Sequence, residues 1–251
     1  MTTAQLLARY IAANKRNILR LNRALSTATY WLHAHEREAR ALYIKNHPNT
    51  PLANFPDVSS YQGAINWQAA AHYYSAAEMK VSEGVTWIDP DFGANLRACH
   101  RYGIPVLAYH FCHPGTNDPR AEARHAVATV KAAGGLRKGD IGLELDCEVT
   151  QLGAQGTTDW CNAFHAEVAR LQPNWPQVLY TSALFNAWGP LKYQLVIVAD
   201  YGQFQNPTGV PAEKVIAWQY TDSARVVGVS GPCDENKWTI GRDRFNALRI
   251  K

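Results

Sequence analysis

The sequence lacks any run of about 20 predominantly apolar residues, the length that a membrane-spanning helix needs. An apolar stretch begins at Leu6 and Leu7, but Arg9 and Lys15 interrupt it, so no secretory signal is visible. The sequence also has no Gly-rich phosphate loop and no GxSxG turn for a nucleophilic serine. Any chemistry that the chain performs therefore depends on other kinds of residue.

Cysteine is scarce, and its spacing argues against two common roles. The cysteines form no CxxC motif and no close pair, and their number is odd: Cys99, Cys112, Cys147, Cys161 and Cys233. A disulfide framework is not indicated, which favours a chain made in a reducing compartment. His110 and Cys112 share a strand face, but His113 points away and no second cluster completes four ligands. We therefore expect neither a metal nor a cofactor.

Charge is unevenly distributed along the chain. Residues 1–50 contain eight Lys and Arg and two Glu, a net charge of +6, whereas residues 51–251 carry −2. A basic arm on a slightly acidic body is typical of a segment that binds an anionic wall polymer, a membrane or a larger assembly. A solvated helix face without a partner explains the same charges equally well. No nucleic-acid role is expected, because neither aromatic interleaving nor a binding motif accompanies the charge.

The pattern of apolar residues divides the chain near residue 50. Residues 3–45 have helical periodicity, which predicts a helical hairpin or one long helix, and residues 47–51 have the Pro and Asn content of a linker. From about residue 55, short apolar strands alternate with helices, which predicts an α/β fold with a parallel sheet. Seven or eight strands in about 190 residues favour a small barrel. We therefore predict two domains, a basic helical extension at 1–50 and a barrel at 51–251.

The predicted elements of the barrel follow from apolar runs and their flanking breakers. The predicted strands are 55–59, 78–82, 104–111, 141–147, 178–181, 195–199 and 215–220. The predicted helices are 66–74, 90–102 ending at Gly103, one that begins at Pro119 behind the cap residue Asp118, and 158–171. Residues 231–236 have the composition of a turn.

Three acids lie at alternate positions at and just beyond the end of the strand predicted at 141–147. Because side chains alternate along a strand, Glu144, Asp146 and Glu148 share one face. Such a face is costly to bury unless it meets water, a cation or a substrate, and the C-terminal ends of parallel barrel strands form the active site. Glycoside hydrolysis needs paired carboxylates, one to protonate the leaving oxygen and one to stabilise positive charge or activate the attacker. A structural ion pair or a metal-binding patch explains the same spacing.

Five stretches carry a resemblance to a known family. In chain order they are Asp57-Val58-Ser59-Ser60-Tyr61-Gln62-Gly63, Lys80-Val81-Ser82-Glu83-Gly84, Ala108-Tyr109-His110-Phe111, Leu145-Asp146-Cys147-Glu148 and Trp218-Gln219-Tyr220-Thr221. Together with the closing Asp234-Glu235-Asn236 they resemble the Chalaropsis-type lysozymes, glycoside hydrolase family 25, over roughly residues 55–245. Each motif alone is weak, but the ordered set is specific.

The resemblance implies a distorted TIM-like (β/α) barrel with extra C-terminal strands. It also implies a muramidase that cleaves the β-1,4 bond between N-acetylmuramic acid and N-acetylglucosamine in bacterial peptidoglycan. Carried over residue by residue, Glu148 is the general acid/base, and Asp146 stabilises the transition state or the acetamido group of the substrate. Asp57 and Asp234 complete the acidic cleft. The implied sugar contacts are Tyr61, Tyr109, Tyr180, Trp218 and Tyr220.

This sequence departs from the family pattern at several positions. Glu144 stands where an apolar residue is expected, and it either raises the pKa of its neighbours or pairs with a base such as Lys80. Ile197 replaces a tryptophan of the family's Trp-Ile-Ala-x-Tyr segment, and Asp200 adds an acid near the cleft. Residues 1–50 have no counterpart.

Two questions about function stay open at this point. A barrel that binds cell-wall glycan without cutting it is the alternative to an enzyme, although a pure binder has no use for the acid cluster. Residues two apart on a strand are roughly 6.6 Å apart along the backbone, wider than the about 5–5.5 Å of a direct nucleophile, so we expect Asp146 not to attack directly. Because no secretory signal is visible, we expect a phage-type endolysin, which accumulates in the host cytoplasm or is carried on a virion. A bacterial enzyme with non-standard export is the alternative.

Overall fold

The computed structural model describes residues 14–25, 27–28, 31–32, 35, 51–183, 185, 187–192 and 195–251. Contacts between residues divide the chain into two compact units, Met1–Thr50 and Pro51–Lys251. In the first unit, residues 14–25 are helical with exposed side chains, and most of the predicted helical extension lies outside the described residues. Within the described residues, no helix has both the length and the apolar character needed to cross a bilayer.

The described part of the second unit contains nine strands and five α-helices. The strands are β1 (Phe55–Val58), β2 (Ala77–Glu83), β3 (Trp87–Ile88), β4 (Val106–Phe111), β5 (Gly142–Asp146), β6 (Gln177–Ser182), β7 (Leu195–Ala199), β8 (Val215–Ala224) and β9 (Cys233–Trp238). The helices are α1 (Trp67–Ala70), α2 (Phe92–Tyr102), α3 (Pro119–Ala132), α4 (Ala154–Leu171) and α5 (Arg242–Leu248). Short 3₁₀ turns lie at Ser60–Gln62 and Ala212–Lys214.

Eight of these strands close into a barrel. Parallel pairs join β1, β2, β4, β5, β6, β7 and β8 in that order. The ring is completed by β9, which runs antiparallel to both β8 and β1, while β3 forms a hairpin on β2 outside the ring. This arrangement confirms the predicted distorted (β/α) barrel with an additional strand after the parallel set.

Side chains alternate between the barrel interior and the layer between barrel and helices. Inside, apolar residues such as Phe55, Leu107 and Ile197 pack against one another and are fully buried. On the outward faces, residues such as Leu145 pack in a second cluster with helix residues such as Phe164 of α4. Because Leu145 points outward, its neighbours on β5 point into the barrel.

The helix boundaries follow local capping interactions. The predicted cap of α3 is confirmed, since the Asp118 carboxylate accepts a hydrogen bond from the backbone N–H of Ala121 at 2.9 Å. The predicted end of α2 is also confirmed, because Gly103 adopts a left-handed conformation with φ of 72°. The helix predicted at 66–74 is shorter, and α1 ends at Ala70.

The prediction of a turn at residues 231–236 is wrong, because Cys233–Trp238 forms β9. This segment is rich in Asp, Glu, Asn and Lys, residue types that are depleted in strands. Its extended form is held by pairing with two neighbours, Phe55 to Asn236 on one side and Ala217 to Trp238 on the other. Strand β3 and helix α5 were also not predicted.

Candidate active site

Four acidic side chains meet at one end of the barrel. Asp57 is near the end of β1, Asp146 ends β5, Glu148 follows two residues later, and Asp234 is near the start of β9. Because β9 is antiparallel to its neighbours, its first residues lie at the same barrel end as the C-terminal ends of the parallel strands. Asp57 and Asp234 are register partners across β1 and β9. The structure therefore brings together the four acids predicted for the site.

Asp57 is the most crowded of these acids. Burial raises its pKa well above the usual value, and the charges of Glu78, Asp234 and Glu148 raise it further. A hydrogen bond donated by the Gln219 amide to Asp57 Oδ2, at 3.3 Å, acts in the opposite direction. Asp57 therefore holds its proton to unusually high pH.

Asp146 and Glu148 differ in their access to solvent. Asp146 is buried, and burial together with the charges of Glu148 and Asp57 raises its pKa well above the usual value. Glu148 is exposed, yet surrounding atoms still keep part of its carboxyl from water. This partial desolvation and the charge of Asp234 raise the pKa of Glu148, against the effects of Tyr180 and Lys80. A carboxyl that keeps its proton and still reaches solvent has the properties of a general acid.

Asp234 completes this set from the opposite wall. Partial burial raises its pKa to about 6, and the nearby charge of Asp222 contributes to the increase. Asp234 in turn is a leading cause of the raised pKa of Glu148. The four acids therefore behave as one electrostatic group, in which ionising one carboxyl disfavours ionising the next.

A buried glutamine holds three site residues in place. Gln219 Oε1 accepts hydrogen bonds from the hydroxyl groups of Tyr180 at 2.7 Å and Tyr201 at 2.9 Å. Its amide nitrogen donates to Asp57, as described above. Sequence reasoning missed Gln219, because the motif Trp218-Gln219-Tyr220 drew the prediction to the flanking aromatic rings. Strand alternation, which places Gln219 and its two neighbours on opposite faces, was the available signal.

Two of the predicted sugar-contacting aromatics lie among the acids. Tyr180 is 5% exposed and faces into the barrel mouth. Burial raises the pKa of the Tyr109 hydroxyl well above the usual value, and Asp57 and Asp146 add to this effect. The remaining three predicted contacts lie elsewhere. Tyr61 is on the 3₁₀ turn that follows β1 and is 92% exposed.

Trp218 and Tyr220 lie on the face of β8 opposite Gln219. The Trp218 indole N–H donates to the backbone carbonyl of Asp200 at 2.7 Å. The Tyr220 hydroxyl donates to the Glu235 carboxylate and accepts a hydrogen bond from Asn54. These two rings are therefore anchored on the strand face that points away from the buried glutamine.

A cavity of about 220 Å³ opens beside Glu148 at the ends of β6 and β7. Its lining consists of Glu148, Ser182, Ala183, Ala199, Asp200 and Tyr201. Asp200, predicted to add an acid near the cleft, lies in this wall. The cavity gives Glu148 a space in which a substrate atom can approach its carboxyl.

Lys80 supplies a positive charge near the acids, but it does not pair with Glu144. Its ammonium group lies 2.7 Å from Glu83 Oε2, and 5.0 Å and 4.9 Å from the ring centres of Trp87 and Phe111. The prediction of a Glu144–Lys80 pair is therefore wrong. Lys80 instead lowers the pKa of Glu148, in competition with burial and Asp234.

His110 belongs to a buried link between the barrel and its helices. Its Nδ1 lies 2.8 Å from the Ser82 hydroxyl, and its Nε2 lies 2.9 Å from Glu122 Oε2 on α3. The ring stacks on Phe164 of α4 with centroids 5.5 Å apart. Across the described residues, no three His, Cys, Asp or Glu side chains are grouped to bind a metal ion.

Comparison with known proteins assigns this barrel to a family of glycoside hydrolases. Residues 56–229 match the model of glycosyl hydrolases family 25. Lysozyme M1 of Streptomyces globisporus is 32% identical over 210 residues, which cover 76% of this chain and 69% of that protein. The structure of a lysozyme from Streptomyces coelicolor aligns with a TM-score of 0.63 at 28% identity, covering 80% of this chain and 99% of that one.

A further solved structure supports the same fold. The catalytic domain of endolysin ply40, from bacteriophage P40 of Listeria monocytogenes, aligns with a TM-score of 0.68 at 23% identity, covering 80% of this chain and 98% of that one. The acidic cleft at the mouth of the (β/α) barrel, together with this family match, places the chain among the glycoside hydrolases. The chain belongs to glycosyl hydrolases family 25. It is a lysozyme, an enzyme that hydrolyses peptidoglycan, and the predicted muramidase activity is confirmed.

Proposed function

We propose that Glu148 is the general acid and general base with which this lysozyme cleaves the bond between N-acetylmuramic acid and N-acetylglucosamine. The observation that carries this assignment is the position of Glu148, the one acid of the four that is exposed and lines the cavity. In the first step, Glu148 donates its proton to the glycosidic oxygen as the bond to the sugar breaks. In the second step, Glu148 takes a proton from the attacking water.

Asp146 stabilises the positive charge that develops on the sugar, or orients the acetamido oxygen of the substrate. Its burial beside Glu148 supports this role, because a positive charge that develops on the sugar favours ionisation of a carboxyl that burial otherwise keeps protonated, and water is excluded there. Asp57 and Asp234 complete the cleft, and Gln219 fixes the orientation of Asp57. Tyr109 and Tyr180 contact the sugar nearest the acids, while Tyr61, Trp218 and Tyr220 remain predicted contacts for the rest of the glycan.

Replacing Glu148 with Gln tests the central role. We expect Glu148→Gln to lower the rate of clearing of purified cell walls by about 10²–10⁴-fold, the usual contribution of a general acid/base. Sedimentation with the same walls should show that binding is retained. Glu213→Gln, a matched change on the exposed 3₁₀ turn, should clear walls at the wild-type rate.

Two outcomes would contradict the assignment. Clearing by Glu148→Gln at the wild-type rate would remove Glu148 from the chemistry. Binding without clearing by the unmodified protein would favour the alternative of a non-catalytic barrel that holds cell-wall glycan.

We propose that residues 1–50 attach the enzyme to an anionic partner, namely wall polymer, membrane or a larger assembly. The described helical residues 14–25 carry two kinds of exposed side chain at helical spacing. The apolar set is Ile18, Leu21 and Leu25, and the basic set is Lys15, Arg16, Arg20 and Arg23. The apolar set recurs at intervals of three and four residues, so it forms a stripe on one face of the helix.

We propose a phage-type origin, in which the enzyme accumulates in the host cytoplasm and reaches the wall through membrane lesions, or travels on a virion. The catalytic domain of a bacteriophage endolysin has the same fold, as do lysozymes of other sources, so the fold is compatible with this proposal. Production inside a susceptible bacterium distinguishes the routes. Lysis that requires a separate membrane-permeabilising agent supports the proposal, and lysis without one contradicts release through lesions.

A further inference from the structure

Two further carboxyl groups lie in the barrel interior and have no part in the mechanism above. Glu144 precedes Asp146 by two residues and shares its inward face of β5. Glu78 lies on β2 as the register partner of Asp57. Their side chains are 0% and 1% exposed respectively. Two ionised carboxylates side by side in such an interior are very costly, so their protonation needs an explanation.

Hydrogen-bond donors around this pair are scarce. Glu78 Oε2 accepts a hydrogen bond from the Asn236 amide nitrogen at 2.9 Å. Neither carboxyl oxygen of Glu144 has a donor among the described residues. Glu78 is the carboxyl group close enough to Glu144 for each to change the pKa of the other. Since an ionised carboxylate can only accept hydrogen bonds, the two carboxyl groups can bond to each other only when one of them carries a proton.

The surroundings favour one proton and one charge on this pair. Burial and the proximity of Glu144 raise the pKa of Glu78 well above its usual value. Burial likewise raises the pKa of Glu144, with contributions from Asp57, Asp146 and Glu148. The Asn236 amide acts in the opposite direction, because its N–H group stabilises an ionised Glu78. A fully ionised pair is therefore disfavoured, while a single carboxylate on Glu78 has the Asn236 amide as a donor.

The other titratable groups around the pair come from every neighbouring strand. They are Asp57 of β1, Lys80 of β2, Tyr109 of β4, Asp146 and Glu148 at the end of β5, Tyr180 of β6, and Asp234 of β9. Lys80, the cation of this group, is already bound to Glu83. A negative charge on the pair is therefore felt mainly by other acids.

We propose that Glu78 and Glu144 share one proton, and that their single negative charge acts as a positioning element that keeps Glu148 protonated until the substrate arrives. The proposal rests on the role of Glu148 given above. The charge lies in the barrel interior, where low polarisability makes repulsion between carboxylates strong. It disfavours ionisation of Asp146 and, through the same interaction, of Glu148. Glu144 thus takes the first of the two roles that the sequence suggested, raising the pKa of its neighbours.

The test uses the full-length protein and the pH dependence of kcat/KM on soluble glycan fragments. In Glu144→Gln, the amide replaces the protonated carboxyl and donates to Glu78, so the charge is kept and the profile should match the wild type. In the double variant Glu78→Gln with Glu144→Gln, the charge is lost. In this double variant, the fall of kcat/KM at high pH, which reports deprotonation of the acid catalyst, should move to lower pH by about one unit.

A matched control and an independent measurement keep the test decisive. Thr181→Val changes a buried, uncharged side chain on the neighbouring strand β6 and should leave the profile unchanged. Infrared spectra of the unmodified protein should contain a protonated-carboxyl band that persists to pH values where exposed carboxyls are ionised. That band should weaken in Glu144→Gln. The spectrum of the unmodified protein does not depend on whether the double variant folds.

Three results overturn the proposal. If the pH profile of kcat/KM is unshifted in the double variant, the pair is neutral. If the profile shifts equally in Glu78→Gln and in Glu144→Gln, both groups are ionised. Absence of the infrared band would exclude the shared proton. Each of these results leaves the role of Glu148 intact as long as Glu148→Gln is inactive, whereas an active Glu148→Gln would contradict that role instead.

Discussion

At the scale of single residues, burial controls protonation far from the active site as well as within it. His165 of α4 is 1% exposed and packs edge-on against Phe164, with ring centroids 5.6 Å apart. Burial lowers its pKa to about 3, and the neighbouring Gln177 offsets only part of this effect. In the unfolded chain, histidine binds a proton near pH 6.5. Stability from this group is therefore complete above pH 6.5 and falls as the pH drops toward 3.

We expect His165→Gln to reduce the acid sensitivity of the fold. Between pH 7.5 and pH 5, the wild type should lose about 2 kcal/mol of unfolding free energy relative to the variant, because only its unfolded state gains a proton there. Urea unfolding at the two pH values measures this difference. The exposed His72→Gln serves as the control and should behave as the wild type. Equal losses in His165→Gln and the wild type would show that His165 does not titrate on unfolding.

The residues of the site were only partly predictable from sequence. Asp57, Asp146, Glu148 and Asp234 were named together because each belongs to a recognisable motif, and the barrel does bring them together. Of the two alternatives given for Glu144, pairing with Lys80 is wrong, whereas Glu144 does raise the pKa of its neighbour Glu78. Which side chain faces Glu144 depends on the order and register of strands, and a local pattern contains neither.

At the scale of secondary-structure elements, β5 begins at a point of very close contact. The residue there, Gly142, has a φ of 154°. A Cβ atom at this position would collide with the backbone carbonyl oxygen of Pro176, just before β6. That oxygen also accepts a hydrogen bond from the backbone N–H of Leu143 at 3.1 Å. Glycine is therefore required at this position, because a larger residue would prevent β5, which carries Glu144 and Asp146, from pairing with β6 in the observed register.

We expect Gly142→Ala to lower the free energy of unfolding by about 1–3 kcal/mol, since the added methyl group must displace the backbone of the next strand. Chemical denaturation measures the change. Gly202→Ala is a suitable control, because a Cβ atom there would come within 4.0 Å of the Asp200 carboxylate alone. That control should change stability by less than about 0.5 kcal/mol. A similar, small effect of both substitutions would show that β5 can shift without cost.

The elements that were predicted best are those with strong apolar patterns. Strand β7 was predicted at residues 195–199, as observed, because its run of Leu, Val and Ile residues strongly favours a buried strand. The local pattern did not predict strand β9, although the resemblance implied extra C-terminal strands, because its polar residues serve the site and its extended form depends on β1 and β8. Tertiary pairing determined its structure, and tertiary pairing is not visible in a window of six residues.

At the scale of the whole molecule, the alternation of strands and helices was sufficient to predict a parallel α/β barrel. The antiparallel ninth strand was not predictable from that alternation, and neither was the appended hairpin β2–β3. The division into Met1–Thr50 and Pro51–Lys251 has a functional consequence that can be measured.

We expect deletion of residues 1–50 to lower activity on whole cells more than activity on soluble glycan fragments. The reason is that the arm carries a charge of +6, which we propose attaches the enzyme to anionic surfaces, whereas the acids lie wholly in the barrel. Parallel assays on both substrates measure the effect, with the melting temperature of the truncated protein as the control for folding. Equal losses on both substrates would instead indicate that the arm stabilises the barrel.

The closure of the barrel by β9 also has a consequence for the order of events during synthesis. Asp57 is among the first barrel residues to leave the ribosome, while its register partner Asp234 is among the last. A nascent chain that stops short of β9 leaves β1 and β8 with unpaired edges, which invite aggregation. It also lacks one wall of the acidic cleft. Activity therefore depends on β9, and we expect a product that ends before Cys233 not to clear cell walls.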